Sequence, residues 1–320
     1  MPLSGSSEPE PHPGIPPRSK TELSHFATRL SDAIHRSGTP LCMGIDPHPS
    51  MMPALFGDAR EPGSAATIRA IEDFTLACLD AAKGRVAAIK PQAAFFEAQG
   101  HDGMRVLATL GRAAIDAGML VIMDAKRNDI GSTNAAYADA WIGHDAAFPS
   151  DALTVNAYLG LDTLDPLLAR ADRQGAGLFV LTRTSNAGAG DLQDLEIDGK
   201  PLFQHLAAGL APLAAAREGE LGLSSLGIVA GATWPEEARA LRETLPGAPF
   251  LVPGFGAQGA GAAQALAGLT TGPNGPEGGL VNSTRGLIFP AAATNAGSIG
   301  DWQAAISDAI EASRGALAAT

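Results

Sequence analysis

The sequence predicts an α/β protein of the (β/α)8, or TIM, barrel class, and three observations carry that expectation. Eight short apolar runs recur along the chain, each run is continuous rather than alternating, and helix-period segments fill the gaps between them. Strands buried on both faces read as continuous apolar runs because neither side meets water. Eight such strands over about 250–300 residues is the count of a closed barrel. An open doubly wound sheet is the competing architecture, but it needs fewer strands and places its switch point near the middle of the chain.

The strand candidates, in order, are Leu41–Ile45, Val86–Ile89, Met119–Met123, Ala152–Val155, Gly177–Leu181, Leu226–Ala230, Pro249–Val252 and Leu280–Val281. Helical segments are expected over Thr21–Ser37, Ala65–Gly84, Gly103–Gly118, Thr133–Gly143 and Asp162–Gln174. Gly84, Gly118 and Gly143 stand where those helices would stop, since glycine takes the left-handed conformation of a helix terminus without strain. The long gap from Leu181 to Leu226 calls for extra loop material after the fifth strand. Ahead of the barrel, residues 1–20 carry Pro2, Pro9, Pro11, Pro13, Pro16 and Pro17, so they are expected to be a disordered tail. Residues 21–320 are then expected to form one barrel domain.

Composition narrows the function. Of 320 residues, 34 are acidic and 22 basic, a net charge of −12, and 45% are apolar, which supports a large core and excludes general disorder. A pI near 5.0 argues against a nucleic-acid partner but leaves room for a local cationic pocket. Cys42 and Cys78 are the only cysteines, with no zinc spacing, so a reducing compartment fits best. The N-terminus has no apolar run of a secretory signal, and no stretch of about 18 apolar residues could span a membrane. A soluble, cytoplasmic protein is expected.

Catalytic groups of such a barrel belong at the C-terminal strand ends. Those positions hold Asp46, Lys90, Asp124 with Lys126, Asn156, Thr182, Gly231, Pro253–Gly256 and Thr284–Arg285. The richest stretch is VIMDAKRNDIGST, residues 121–133. Strand alternation points Asp124 and Lys126 to one face, Asp129 follows in the loop, and Ser132 and Thr133 suit a helix start. Any one of these charges reads equally well as a rim ion pair; Asp46, Lys90, Asp124, Lys126 and Asp129 together read as a site. The blander readings hold elsewhere. His48 is expected to be a loop histidine, Tyr137 and Trp141 packing residues four apart on a helix, Phe95 and Phe96 core, and both cysteines buried small apolar residues. The GxGxxG match at Gly254–Gly259 falls too late for a dinucleotide fold and suits a phosphate loop better. Residues 272–279 lack the Lys-Ser/Thr ending of a P-loop and are expected to form a surface loop.

DAKRNDIGST, with IDPHP and IKPQAAFFEAQG upstream, resembles the orotidine 5′-monophosphate decarboxylases of the longer bacterial type (type 2). The resemblance continues through LTRTSNAGAGDLQ, LVPGFGAQG and NSTRGLIF, from about Thr21 to the C-terminus. It implies a cofactor-free and metal-free decarboxylation in which Lys126 protonates C6 of the pyrimidine. Asp124 would sit beside the substrate carboxylate, Lys90 would complete the charged array and contact the ribose, and Asp46 would bind the ribose hydroxyls. Asp129 and Thr133 would reach the partner's site across a homodimer. Ser185 would read the pyrimidine edge, Pro253, Gly254, Gly256 and Arg285 would grip the phosphate, and Gln258 would add a phosphate or base contact. Two departures stand out: Asn128 where the pattern has Gly, and Asn156–Ala157 where it has Asn–Pro.

Three other functions share these residues. Magnesium-dependent phosphosugar decarboxylases or synthases of the same superfamily resemble the motif but would carry Glu at the second strand end, where Lys90 would repel a divalent cation. A Schiff-base aldolase would need a neutral lysine, which neighbouring carboxylates oppose. A non-catalytic nucleotide-binding module would not require the full charged set.

Overall fold

The computed structural model describes residues 24–256, 259–273 and 275–320. Eight parallel strands close a barrel in chain order. They are β1 (Leu41–Ile45), β2 (Ala88–Pro91), β3 (Leu120–Arg127), β4 (Ala152–Val155), β5 (Gly177–Arg183), β6 (Leu226–Ala230), β7 (Phe250–Pro253) and β8 (Gly279–Ser283). Closure comes from β8 pairing with β1, Leu41 opposite Val281. Several strands outrun their apolar runs at the C-terminal end: β2 takes in Lys90 and Pro91, β3 reaches Arg127, and β5 reaches Arg183. Backbone pairing continues into the mouth where the side chains turn polar, so hydropathy marks the core and not the strand end.

Alternation divides each strand between two cores. Leu41, Met43, Ile89, Val121, Met123, Leu153, Leu178 and Val180 pack outward in the larger cluster, against the helices. Cys42, Ala88, Leu120, Ile122, Ala152, Phe179, Val229, Leu251 and Leu280 fill the barrel interior. The helices between strands include α2 (Ala65–Ala82), α3 (Gly100–Asp116), α4 (Gly131–Trp141) and α5 (Asp165–Gln174). Gly84, Gly118 and Gly143 follow α2, α3 and α4 at φ of 71°, 74° and 103°, as helix stops require. Ser132 and Thr133 do not cap α4: Gly131, at φ 48°, turns the chain earlier, and both residues lie inside the first turn.

The helix ahead of the barrel, α1 (Phe26–Ser37), closes its floor. Phe26 and Leu30 are fully buried in the interior cluster, and the Phe26 ring meets Phe179 edge-on at 5.9 Å. Gly177 makes that approach possible, since a Cβ there would come within 2.4 Å of the Phe26 ring. Asp151, just before β4, fastens the same end. Its carboxylate accepts from Arg29 Nη2 at 2.9 Å, His144 Nε2 at 2.8 Å and Val121 N at 2.9 Å.

At the opposite end, the extra material after β5 takes shape as a short helix (Gly190–Gln193), a hairpin pairing Glu196–Ile197 with Lys200–Pro201, and α6 (Leu202–Ala215). The expected surface loop at 272–279 is instead largely a hairpin, Thr270–Gly272 against Gly275–Glu277, because these glycine-flanked residues pair with each other across the turn. The Pro-rich tail, residues 1–20, lies outside the described residues. Among the described residues no helix is long and apolar enough to cross a membrane.

Candidate active site

The inward-facing row of each strand continues upward from apolar to polar. Above Ala88 comes Lys90, above Ile122 comes Asp124, above Ala152 comes Thr154, and above Leu280 comes Asn282. Asp124 is the centre. Its Oδ2 accepts from Lys90 Nζ at 2.6 Å and Gln92 Nε2 at 3.1 Å. Its Oδ1 accepts from Lys126 Nζ at 2.5 Å and the Thr154 hydroxyl at 3.0 Å.

Burial acts differently on the members. It pushes the Asp124 carboxyl up, but the ammonium groups of Lys90 and Lys126 outweigh it and hold the group well below the usual carboxylate range. Burial pulls the Lys90 ammonium down, and Asp124 with Asp46 reverses that, leaving it raised and charged. Asp46 lacks such compensation: desolvation exceeds the pull of Lys90 and raises its pKa, and its buried Oδ1 has no hydrogen-bond partner among the described residues. The side chains of Lys90 and Asp124 are 5% and 9% exposed, against 45% for Lys126. One ammonium is therefore fixed in the wall and the other reaches into the opening.

Lys126 departs from regular strand geometry. Its φ is 49°, and the β3–β4 register shifts between Met123 and Arg127. A non-glycine residue in that region costs about 1–3 kcal/mol and persists only where its surroundings enforce it. Simple alternation brought Asp124 and Lys126 to one face on paper; in the structure a bulge brings them together, a known way of re-aiming a side chain beside a site.

Two compartments meet at this array. The larger, about 820 Å³, is walled by Thr154, Ser185, Leu181, Phe203, Leu206 and Val229 among others, and α6 forms part of its side. The smaller, about 210 Å³, is polar and gathers Asp46, His48, Gln92, Gly254, Thr284 and Arg285. Lys90, Asp124 and Pro253 border both. Arg285 is exposed and has no side-chain partner among the described residues. Gly254 and Gly256 take φ of 107° and 78°, turning the chain after β7, and Gly256 N donates to Ala260 O at 3.0 Å. Gly44 leaves room for Thr284, whose Oγ1 a Cβ would meet at 1.9 Å.

The loop bearing Ser185 is tied down beside the larger compartment. Gln193 Oε1 accepts from Thr184 N at 2.9 Å while Gln193 Nε2 donates to Thr184 Oγ1 at 2.8 Å. Trp234 Nε1 donates to Thr184 O at 3.0 Å. Beneath it, buried Arg183 lies with its guanidinium 4.1 Å from the centre of the Trp234 ring.

The structure thus gathers Asp46, Lys90, Asp124, Lys126, Ser185, Pro253, Gly254 and Arg285 around one opening. Asp129 and Thr133 line neither compartment: Asp129 Oδ1 accepts from Ile130 N at 2.7 Å, and Thr133 borders a separate open depression with Arg127, Tyr137 and Trp141. Arg127 stacks over both of those rings, at 5.5 and 4.8 Å. Gln258 lies outside the described residues. His48, expected to be a plain loop histidine, packs against Phe95 with ring centres 4.2 Å apart and borders the smaller compartment. Gln92 and Thr154 were missed; the signal was their place on the inward row, beside and above residues already singled out.

A closed parallel barrel with a Lys–Asp–Lys array at its strand ends places the chain in the class of (β/α)8-barrel enzymes. The chain belongs to the orotidine 5′-phosphate decarboxylase / HUMPS family, whose sequence model matches residues 39–289. It is 44% identical over 269 residues to an orotidine 5′-phosphate decarboxylase from Rhodopirellula baltica, covering 82% of this chain and 88% of that protein. The namesake from Haloarcula marismortui is 41% identical over 281 residues, covering 87% and 92%. Among solved structures, the OMP decarboxylase of Leishmania donovani superposes with a TM-score of 0.67 at 31% identity, covering 91% of this chain and 99% of that one.

Proposed function

We propose that the protein is a carboxy-lyase that converts orotidine 5′-monophosphate to uridine 5′-monophosphate, the last step of de novo pyrimidine nucleotide synthesis. The observation that carries this reading is the Lys90–Asp124–Lys126 array, in which one carboxylate is held ionised between two ammonium groups. Breaking the C6–carboxylate bond leaves an electron pair on C6. Lys126, the more exposed cation, donates a proton there, and its charge favours the developing carbanion over the ground state. Asp124, fixed as an anion, sits against the departing carboxylate. No cofactor or metal enters this scheme, because the array itself supplies the electrostatics.

Remote contacts orient the ring. Arg285, with no side-chain partner among the described residues, offers its planar fork to the phosphate, and the glycine turn at Pro253, Gly254 and Gly256 lets the phosphate approach the backbone closely. Gln258 is the candidate for a further phosphate or base contact. Asp46 and Lys90 take the ribose hydroxyls, and Ser185 reads the pyrimidine edge from the wall of the larger compartment. The unpaired Asp46 Oδ1 supports its part, since ribose hydroxyls would satisfy it. Asp129 and Thr133, which line neither compartment of their own chain, complete the partner's site in a homodimer. A cytoplasmic location is supported by two cysteines that are free and buried.

The family name also covers members outside orotidine decarboxylation. Lys90 favours the present reading, because its raised, buried ammonium would repel a divalent cation at the second strand end. Loss of orotidine 5′-monophosphate absorbance, followed with and without a metal chelator, tests the assignment. Turnover that survives chelation is expected; turnover lost on chelation would overturn the account of Lys90, and nucleotide binding without turnover would leave a binding module.

A further inference from the structure

Thr154 makes two hydrogen bonds whose directions are fixed by chemistry. Its Oγ1 lies 3.0 Å from Asp124 Oδ1 and 3.0 Å from Lys126 N. The ionised carboxylate only accepts, so the hydroxyl proton must point to Asp124; the amide only donates, so it must use the oxygen lone pair. The side chain is 1% exposed, and its β-branched carbon sits in a regular strand. The amide it holds belongs to Lys126, whose φ of 49° has no other support from β3–β4 pairing between Met123 and Arg127.

We infer that Thr154 is a positioning residue for the decarboxylation: a single hydroxyl that locks the bulged Lys126 backbone to the Asp124 carboxylate, and so sets where the Lys126 ammonium points. This inference deepens the function proposed above and rests on it. Lys126 Nζ and the Thr154 hydroxyl share Asp124 Oδ1, so one oxygen fixes both the base of the lysine and its tip. Loss of the hydroxyl strands a backbone amide in the site wall and frees the lysine stem to return to ordinary strand geometry. Displacement of a reacting group by about 1 Å can cost 10²-fold in rate. Thr154 is also part of the wall of the larger compartment, so the substitution that tests it must keep its volume, and the proposed contacts to phosphate, ribose and pyrimidine edge come from other residues.

The decisive comparison is Thr154→Val, which keeps the shape and removes the hydroxyl, against Thr154→Ser, which keeps the hydroxyl. In Thr154→Val, kcat for orotidine 5′-monophosphate should fall about 10- to 100-fold while the affinity for uridine 5′-monophosphate stays within about threefold. Thr154→Ser should retain at least half of the wild-type kcat. Hydrogen exchange at the Lys126 amide, read by mass spectrometry or NMR on the ligand-free protein, should be slow in wild type and Thr154→Ser and at least about tenfold faster in Thr154→Val. If Thr154→Val does not fold, Thr154→Ala takes its place with the same expected pattern. A folded hydroxyl-free variant with wild-type kcat overturns the inference, as does an equal loss in both variants or a parallel loss of nucleotide affinity. The exchange measurement stands apart from turnover: an unchanged Lys126 amide sinks the Thr154 role, whereas an inactive wild type with the expected exchange pattern sinks the decarboxylase reading instead.

Discussion

Lys90 Nζ lies 2.6 Å from Asp124 Oδ2, with both side chains almost wholly buried. A pair so desolvated stabilises little by itself, but removing one partner leaves an uncompensated charge in the wall. Lys126, nearly half exposed, is the member free to meet a substrate.

Lys126→Ala should therefore reduce turnover by at least about 10³-fold, the scale expected when both a proton donor and a fixed charge are lost. Asp124 keeps Lys90, so the protein should stay folded and bind uridine 5′-monophosphate. Near-normal decarboxylation by the purified variant would falsify the assignment of the proton donor.

Asp129→Ala and Lys126→Ala, each inactive alone, should complement when mixed and allowed to exchange subunits. In a mixed dimer one site carries both lesions and the other carries none. Random pairing then restores about a quarter of wild-type activity. Continued inactivity after exchange is verified by mass would mean that Asp129 does not work across subunits.

Asp46 should trade stability for binding. Burial raises its pKa, so the folded state holds its proton more tightly than the unfolded chain, and the group weakens the apo protein as pH rises through the folded value. Asp46→Asn should be at least as stable as wild type at pH 7 in thermal melts and bind uridine 5′-monophosphate at least about tenfold more weakly, the scale of one lost charged hydrogen bond. A destabilised variant with unchanged affinity would refute both halves.

Asp151 has the opposite sign. Burial raises its pKa, but the His144 hydrogen bond and the Arg29 charge outweigh that and hold the carboxyl below the ordinary value of 3.8. Its contribution is complete above the unfolded value and is lost as pH falls through the lower folded one. Asp151→Ala should cost about 3–5 kcal/mol, as breaking a buried pair does. Denaturant melts at pH 7 and pH 3 check this: the gap between variant and wild type should narrow at the lower pH. A gap that is constant with pH would point to packing alone.

Much of this molecule is legible in its sequence, because the physics that writes it is local. Continuous runs such as Leu226–Ala230 mark strands buried on both faces, and glycines such as Gly118 mark helix stops. Lys90, Asp124 and Lys126 show themselves as charges where apolar runs end. What could not be read is geometry that depends on neighbours remote in the chain. The left-handed Lys126 is held by Thr154, 28 residues away, and nothing in DAKR signals it. Gln92 and Thr154 look ordinary until the inward rows of three strands are laid side by side. The start of α4 was misplaced because Gly131 turns the chain before Ser132 and Thr133 can cap it.

The floor of the barrel carries a last consequence. Phe26 and Leu30 plug the interior below Cys42, Ala88 and Phe179, so among the described residues the floor of the barrel is packed solid. In the proposed reaction, carbon dioxide released above Asp124 leaves by the same doorway through which the nucleotide came. Gas and nucleotide thus share one corridor.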